Sequence, residues 1–410
     1  MENENCNDIG PFKVLQWPRA PGEVGHAIHK VTHENAFIKC EWLQPLAHEA
    51  LTLQAAAGGV GIPAFHWLET INGKDIMLME PHGPSLEEVF HQSGRYISVQ
   101  TLLGFADQLL SRVEFIHSRN IIHGNLTPWS FALGLGWQTQ QLLLVDLNTQ
   151  GDQHTASDDL NAVSNILNYL YSGAESWEDY QEGGKTIPPF DIFRRAISTR
   201  SDSINYDSLH RIFQEAYKDL AVNMAIALDL AGPRAIGDGL SPNMGALSML
   251  TTNELFDSLE AALRDAGTIA TQGLSGETTI RSFEDILDIY LVLLVRDRPS
   301  WKKEEYLGGA YYLPNRIWRD IRWFLSRNLN SLGTVRLELN AQAYRFMTAA
   351  YEIKPSYRRY WVSYLLLLSR ERKEVEPPCG KAAWIQTIFY WQDIWNKLVA
   401  EESKRKEARV

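Results

Sequence analysis

The rhythm of apolar and polar positions changes several times along the chain. Between Asn7 and Met79 the apolar runs are short and separated by turn residues. Ala36-Phe37-Ile38-Lys39-Cys40 and Asp75-Ile76-Met77-Leu78-Met79 read as strands, and Asn72-Gly73 marks a turn ahead of the second. Leu46–Ala57 interrupts them with helical spacing, and Gly58-Gly59 stops it. From Ser85 the period lengthens. Ser85 with Glu88 three residues on forms a capping box, because each side chain can satisfy the other's backbone N–H. Gln100–Ser118 then places Leu103, Leu109, Leu110, Val113 and Ile116 on one stripe. Gln141–Asp146 returns to the character of a short buried strand, and residues 159–171 and 203–220 are helical again. Strands followed by helices predict an α+β arrangement over the first half.

Residues 221–250, rich in Gly, Ala, Pro and Ser, read as a linker. Beyond them every segment has helical spacing. Thr251 with Glu254 caps one helix, which Gly267 is expected to end. Ser282 with Asp285 is expected to open the next, apolar nearly all round over Ile286–Val295 and therefore central to a core. Further helices are expected over 315–329, over 337–353, from Ser356 to Leu368 and from Lys381 past Ala400. The second half is thus expected to be an all-α domain.

Length and composition narrow the classes. The 410 residues, 45% hydrophobic and 22% charged, suit two or three folded domains. No apolar run reaches the ~18–20 residues of a membrane helix, and the acidic start MENENCNDIG lacks the pattern of a signal peptide. Three scattered cysteines, Cys6, Cys40 and Cys379, fit a reducing compartment and exclude a disulfide scaffold or a cysteine zinc site. The expectation is a cytoplasmic or nuclear protein, not associated with a membrane. The net charge of −11 is unevenly spread: residues 1–220 carry −13, residues 221–295 carry −7, and residues 296–410 carry +9 with seven of the 13 tryptophans. An acidic body and a basic aromatic end therefore need separate readings.

In the body, the segments GGVGIP (58–63), MEPHGPSLEEVF (79–90), FADQLLSRVEFIHSRNIIHGNLTPWSF (105–131) and SDDLNAVSNILNYL (157–170) resemble the casein kinase I family of protein kinases. The resemblance covers roughly residues 10–220 and implies a bilobal kinase fold, with an N-lobe over 1–82 and a C-lobe over 83–220, followed by the linker at 221–250 and the helical domain at 251–410. It implies equally that catalysis is lost. Lys39 and Glu49 match the phosphate lysine and its glutamate partner. They are open to two readings, a fold-holding ion pair or a retained nucleotide contact. Asp146 matches the one magnesium ligand that survives. Asn125 stands at the base position, where an amide cannot take up a proton as a carboxylate does. Thr127 replaces the loop lysine, Ser130 replaces the metal-binding asparagine, and Asn148 replaces a glycine. Pro21–Gly25 lacks the full glycine set of a phosphate loop, and only 13 positions separate Asp146 from Asp159, too few for the family's activation segment. The resemblance implies no phosphotransfer and no resident cofactor, with residual magnesium-ATP contact confined to Lys39, Glu49 and Asp146. It gives Asp159 the task of bracing the loop around His123 and leaves His117 structural. Trp129 is a candidate to plug the cleft.

Other chemistry is sparse. His26, His29 and His33 lie close in sequence without a second pair at metal-ligand spacing. In the basic end, Trp384, Ile388, Trp391, Trp395 and Leu398 form a 4-3-4-3 seam that either packs on the domain's own core or anchors a protein partner. Arg316, Arg319, Arg322, Arg327, Arg358, Arg359, Arg370, Arg372 and Lys373, interleaved with Trp318, Trp323, Tyr357, Tyr360 and Trp361, fit a single-stranded nucleic-acid surface, solvated helix faces or a surface docked on the acidic body. Lys404-Arg405-Lys406 reads either as a nuclear signal or as a charged tail. The functional expectation is an inactive scaffold within a larger complex. A nucleic-acid adaptor and a nucleotide-sensing switch are the alternatives.

Overall fold

The computed structural model describes residues 8–20, 23–40, 46–149, 153–178, 180, 186–198, 204–219, 244–272, 275–297, 313–329, 331, 333–378 and 380–407. Packing divides them into two compact units that do not follow chain order. The first takes the described residues of 1–39, 136–138 and 240–410, and the second those of 40–135 and 139–239. The sequential division expected at residues 82, 220 and 250 differs from this one, because the first strands pack with the distant helices. An antiparallel sheet at the N-terminal end and a largely helical remainder match the expected α+β class.

In the first unit, β1 (Asp8–Ile9), β2 (Phe12–Gln16), β3 (Gly25–His29) and β4 (Asn35–Cys40) pair in antiparallel succession, with Ile9 opposite Phe12, Phe12 opposite His29 and Ala27 opposite Ala36. Ile9, Phe12, Ala27, Ala36 and Ile38 form the buried face. Only β4 was legible in the sequence. In β2 a single residue, Phe12, is buried, so no alternation marks it.

Among the described residues, seven helices follow: α7 (Met244–Met249), α8 (Thr252–Gln272), α9 (Gly276–Arg296), α10 (Leu313–Arg327), α11 (Gly333–Ile353), α12 (Arg358–Val375) and α13 (Lys381–Glu407). Helix α7 lies inside the expected linker, whose residues 221–243 fall outside the described ones. Gly267 does not end α8; it continues the helix and lies against the Trp323 ring, where a Cβ would sit 3.6 Å from the indole. Helix α9 opens six residues before Ser282. Ser275 is its cap, accepting the Thr278 N–H at 3.3 Å, and Ser282 is an interior residue. Thirteen residues of α9 are buried, as its all-round apolarity predicts. Gly276 at its start is required, because a Cβ there would fall 2.8 Å from Val335 and 3.2 Å from the carbonyl oxygen of Val31.

Several polar groups inside this unit are paired. Trp137 donates its indole N–H to buried Asp288 at 2.7 Å, and Tyr290 donates to Asp320. Arg345 on α11 bridges Glu338 at 2.6 Å and Glu34 at 3.2 Å. Burial, and the adjacent Glu34 carboxylate after it, hold Glu338 well above the ordinary carboxyl range. Glu284, which accepts from Gln342 at 2.7 Å, is pushed up by burial to about 6.

The second unit contains α1 (Ala47–Ala55), the hairpin β5 (Phe65–Ile71) and β6 (Lys74–Met79), α2 (Leu86–Gln92), α3 (Val99–Ser118), the short pair β7 (Phe131–Leu133) and β8 (Leu142–Leu144), then α4 (Ala156–Ser172), α5 (Pro188–Ser198) and α6 (Tyr206–Asp219). Asn72 and Gly73 turn the hairpin with φ of 53° and 76°, left-handed values that these residues tolerate best. The capping box at α2 is present: Ser85 accepts the Glu88 N–H at 3.1 Å, and Glu88 accepts that of Ser85 at 2.7 Å. Helix α3 is the spine, with ten buried residues.

Helix α6 is held to α3 through His210, whose ring meets Asp107 at 2.6 Å and Glu114 at 3.2 Å. Burial alone would lower its pKa, but the two carboxylates outweigh burial and raise it from 6.5 to about 9. A histidine raised on folding contributes its full stability below the unfolded value and loses it as pH rises through the folded one. Thermal melts should therefore show a loss on the order of 3 kcal/mol between pH 6.5 and pH 9 or slightly above. A His210→Gln variant should lack that slope, and an unchanged slope would contradict the assignment.

Candidate functional site

Of the residues singled out by the kinase resemblance, His117 and the loop at His123 and Gly124 gather in the second unit around one carboxylate. Asp159, in the first turn of α4, is buried. Its Oδ2 accepts the His123 backbone N–H at 2.8 Å and its Oδ1 accepts that of Gly124 at 2.7 Å. His117 Nε2 lies 2.8 Å from Oδ2, and Tyr206 on α6 closes the chain at His117 Nδ1. Burial opposes ionisation here, yet the bonds from His117, Gly124 and His123 outweigh it and hold the Asp159 pKa below its ordinary value. One ionised side chain thereby fixes the backbone of the loop that starts at His123.

The loop is ordered further by its own side chains. His123 Nδ1 accepts the Asn125 N–H at 3.2 Å, which leaves the proton on Nε2 to be donated to the Asp146 carbonyl at 2.8 Å. Gly124 has a φ of 78°, and a Cβ there would fall 2.7 Å from the His154 ring. No larger residue fits this position without displacing His154. Gly61 is placed as tightly: with a φ of 70°, its added Cβ would lie 2.2 Å from Nε of Arg112, whose guanidinium donates to the Leu142 carbonyl at 2.8 Å.

Asn125 is exposed. Buried Ser130 accepts the Thr127 N–H at 3.1 Å and its hydroxyl lies 3.4 Å from that of Thr127, so both side chains serve the turn at Pro128–Ser130. Asp146 follows β8 and its Oδ1 accepts the Asn148 N–H at 3.2 Å. Lys39 lies on β4 in the first unit, while Glu49 is buried on α1 in the second. Trp129 is 50% exposed. Among the described residues no cluster of His, Cys, Asp and Glu has metal-binding geometry. The three N-terminal histidines separate: His26 packs edge-on against Phe37, His29 Nδ1 accepts the N–H groups of Val31 and Thr32, and His33 faces Glu277 at 3.4 Å. Tyr206, His154 and His210 were not marked by the sequence, because they act on segments far away in the chain.

In the basic end the structure decides between readings that the sequence left open. Trp391 is fully buried, donating to Tyr344 at 2.7 Å, and Trp384 is buried edge-on against Tyr344. Both rings are core, not exposed anchors. Trp395 is partly covered by Arg359, whose guanidinium lies 5.4 Å from the ring. The arginines are already engaged. Arg319 is 68% exposed but bonds Asp320 at 2.8 Å, Arg322 pairs with Glu371 at 3.3 Å over Trp318, Arg358 donates to Tyr351 at 2.7 Å, and Arg359 pairs with Glu402. No described helix is long and apolar enough to cross a membrane. No protein-family model matches the chain.

Proposed function

We propose that this chain is a catalytically inactive, casein kinase I-like body fused to an all-α domain, serving as a scaffold for protein partners. The observation that carries the reading is the braced loop. Asp159 holds the backbone of His123 and Gly124 in a network that supports a kinase catalytic loop, while Asn125 occupies the base position. Phosphoryl transfer from such a loop requires a proton acceptor, and on this reading the loop lacks one at Asn125, with Thr127 and Ser130 in place of the phosphate lysine and the metal-binding asparagine. The first unit adds support. The turn between β3 and β4 is tied to the helices by Glu34–Arg345 and His33–Glu277, so strands that would cover a nucleotide are occupied in holding the helical domain.

Purified protein given magnesium or manganese ATP and casein should incorporate no more phosphate than its Lys39→Ala variant. Incorporation abolished by that substitution would overturn the reading. A nucleic-acid role for the basic helices has less support, since Arg319, Arg322, Arg358 and Arg359 are already engaged. A nucleotide-sensing switch would raise the melting temperature with magnesium ATP in proportion to occupancy, and a flat response is expected.

A further inference from the structure

We propose that the outer face of α13 is a self-association surface, on which a second copy of this chain docks its own α13 antiparallel. The helix has two opposite faces. Trp384, Thr387 and Trp391 are buried on the inner one. On the opposite side Ile385, Phe389, Gln392, Asn396, Val399 and Ser403 follow at spacings of 4-3-4-3-4, which keeps them on one line for about five turns. Phe389 is 68% exposed, Ile385 42% and Val399 36%. Exposed apolar residues are ordinary one at a time, but three on one helical line form a stripe. None of the six positions carries a charge, and Asp393, Lys397 and Glu401 stand together along one flank. A stripe spaced this way, with charges at its edge, is the seam by which one helix packs on another.

The polar break in the stripe identifies the occupant. Gln392 and Asn396 sit between Phe389 and Val399; Gln392 donates to Asn396 at 3.2 Å, and Arg370 of α12 reaches the Gln392 carbonyl at 3.4 Å. Each amide has further donor and acceptor capacity beyond these bonds. Covering the stripe desolvates it, so the occupant must offer hydrogen-bonding groups at this level and apolar ones on either side. A lipid surface or a wholly apolar helix offers none. A second α13 laid antiparallel, crossing the first level with residue 394, sets Gln392 opposite Asn396 and Phe389 opposite Val399, each twice over, with Ser403 beside Ile385. The flank agrees. Asp393 and Lys397 are bonded within the helix at 3.3 Å, and both side chains are more than half exposed. In the antiparallel pair Asp393 of each copy lies beside Lys397 of the other, so the flank is charge-complementary to itself. In parallel packing Asp393 would face Ile388 instead. The surface belongs wholly to the first unit and goes beyond the scaffold reading, so its failure would leave the phosphotransfer result as it stands.

The test is sedimentation equilibrium of the full chain over roughly 5–200 µM, because about 27 Å of paired helix is a small contact and suits micromolar affinity. The chain should pass from monomer to dimer across this range. Phe389→Glu, at a position where the fold does not enclose the ring, should weaken association at least about tenfold and leave the melting temperature unchanged. Asp393→Lys and Lys397→Asp should each weaken it about fivefold, by setting like charges against each other across the pair. The double exchange should restore dimerisation, and mixing the two single variants should give heterodimers. A chain that stays monomeric at about 200 µM, or a dimer that Phe389→Glu leaves intact, would overturn the proposal. Silence of both single charge exchanges would overturn the antiparallel arrangement. A monomer that floats with phosphatidylcholine–phosphatidylserine vesicles, and loses them on Phe389→Glu substitution, would put a lipid surface in place of the second copy and overturn it equally.

Discussion

Replacement of Asp159 by alanine is expected to destabilise the second unit by about 3–5 kcal/mol. The carboxylate accepts two buried backbone N–H groups, from His123 and Gly124, and meets His117 as well. Removing it strands three polar groups at once, each costing about 1–3 kcal/mol when left without a partner in the interior. Asp159→Asn should recover only part, because one of its two terminal atoms becomes a donor facing a donor. Urea unfolding would measure the loss, and amide exchange at His123 and Gly124 should accelerate more than that of the α3 core. A lowered carboxyl pKa contributes stability that is present above the unfolded value of 3.8 and lost as pH falls through the folded one. The wild-type advantage over alanine should accordingly shrink below pH 3.8. A loss under about 1 kcal/mol would contradict the bracing role.

Arg345→Met is the second large effect, expected to cost the first unit about 3–5 kcal/mol near neutral pH. Arg345 is bonded to both Glu338 and Glu34, joining α11 to the turn that precedes β4. Without the guanidinium, Glu338 must be buried ionised or take up a proton, and protonation sets the upper limit of the cost. Burial already holds Glu338 above the ordinary carboxyl range, and Arg345, with Arg372 after it, opposes further elevation. The cost should therefore grow as pH rises, and be smaller at pH 5 than at pH 8. Arg345→Met combined with Glu338→Leu should recover much of the stability, because burying an apolar pair avoids the desolvated charge. Equal cost at both pH values would exclude the coupling.

Much of the fold's local structure was legible in the sequence. Capping pairs such as Ser85 with Glu88 and Thr251 with Glu254 act within one turn, so their chemistry is complete in four residues. The apolar run of α9 announced a central helix because burial on all sides leaves no polar stripe. Edge-like strands were not legible. In β2 and β5 most residues face outward or lie half-buried, so no alternation distinguishes them. Helix boundaries failed where a glycine or serine that commonly marks an end was used for something else: Gly267 for approach to Trp323, Ser282 as an interior position.

The candidate site divides in the same way. The chemistry of Asn125, Thr127, Ser130 and Asn148 is read from residue type alone, because whether a side chain can accept a proton is intrinsic to it. The 4-3-4-3 tryptophan seam was equally visible, but whether Trp384 and Trp391 face a core or a partner depends on Tyr344 and the helices around it.

The sequence by itself determined the caps at Ser85 and Thr251, the Asn72-Gly73 turn and the charge division, all of which depend on neighbours within a few positions or on side-chain chemistry. Tertiary structure alone decided that the first four strands pack with helices some 240 residues later, that the arginines of the basic end already hold partners, and that α13 buries Trp384 and Trp391 while leaving Phe389 outside. The physical reason is range. Capping and turn chemistry is paid within one turn of chain, whereas burial and ion pairing depend on which distant segment arrives, and periodicity carries no record of that.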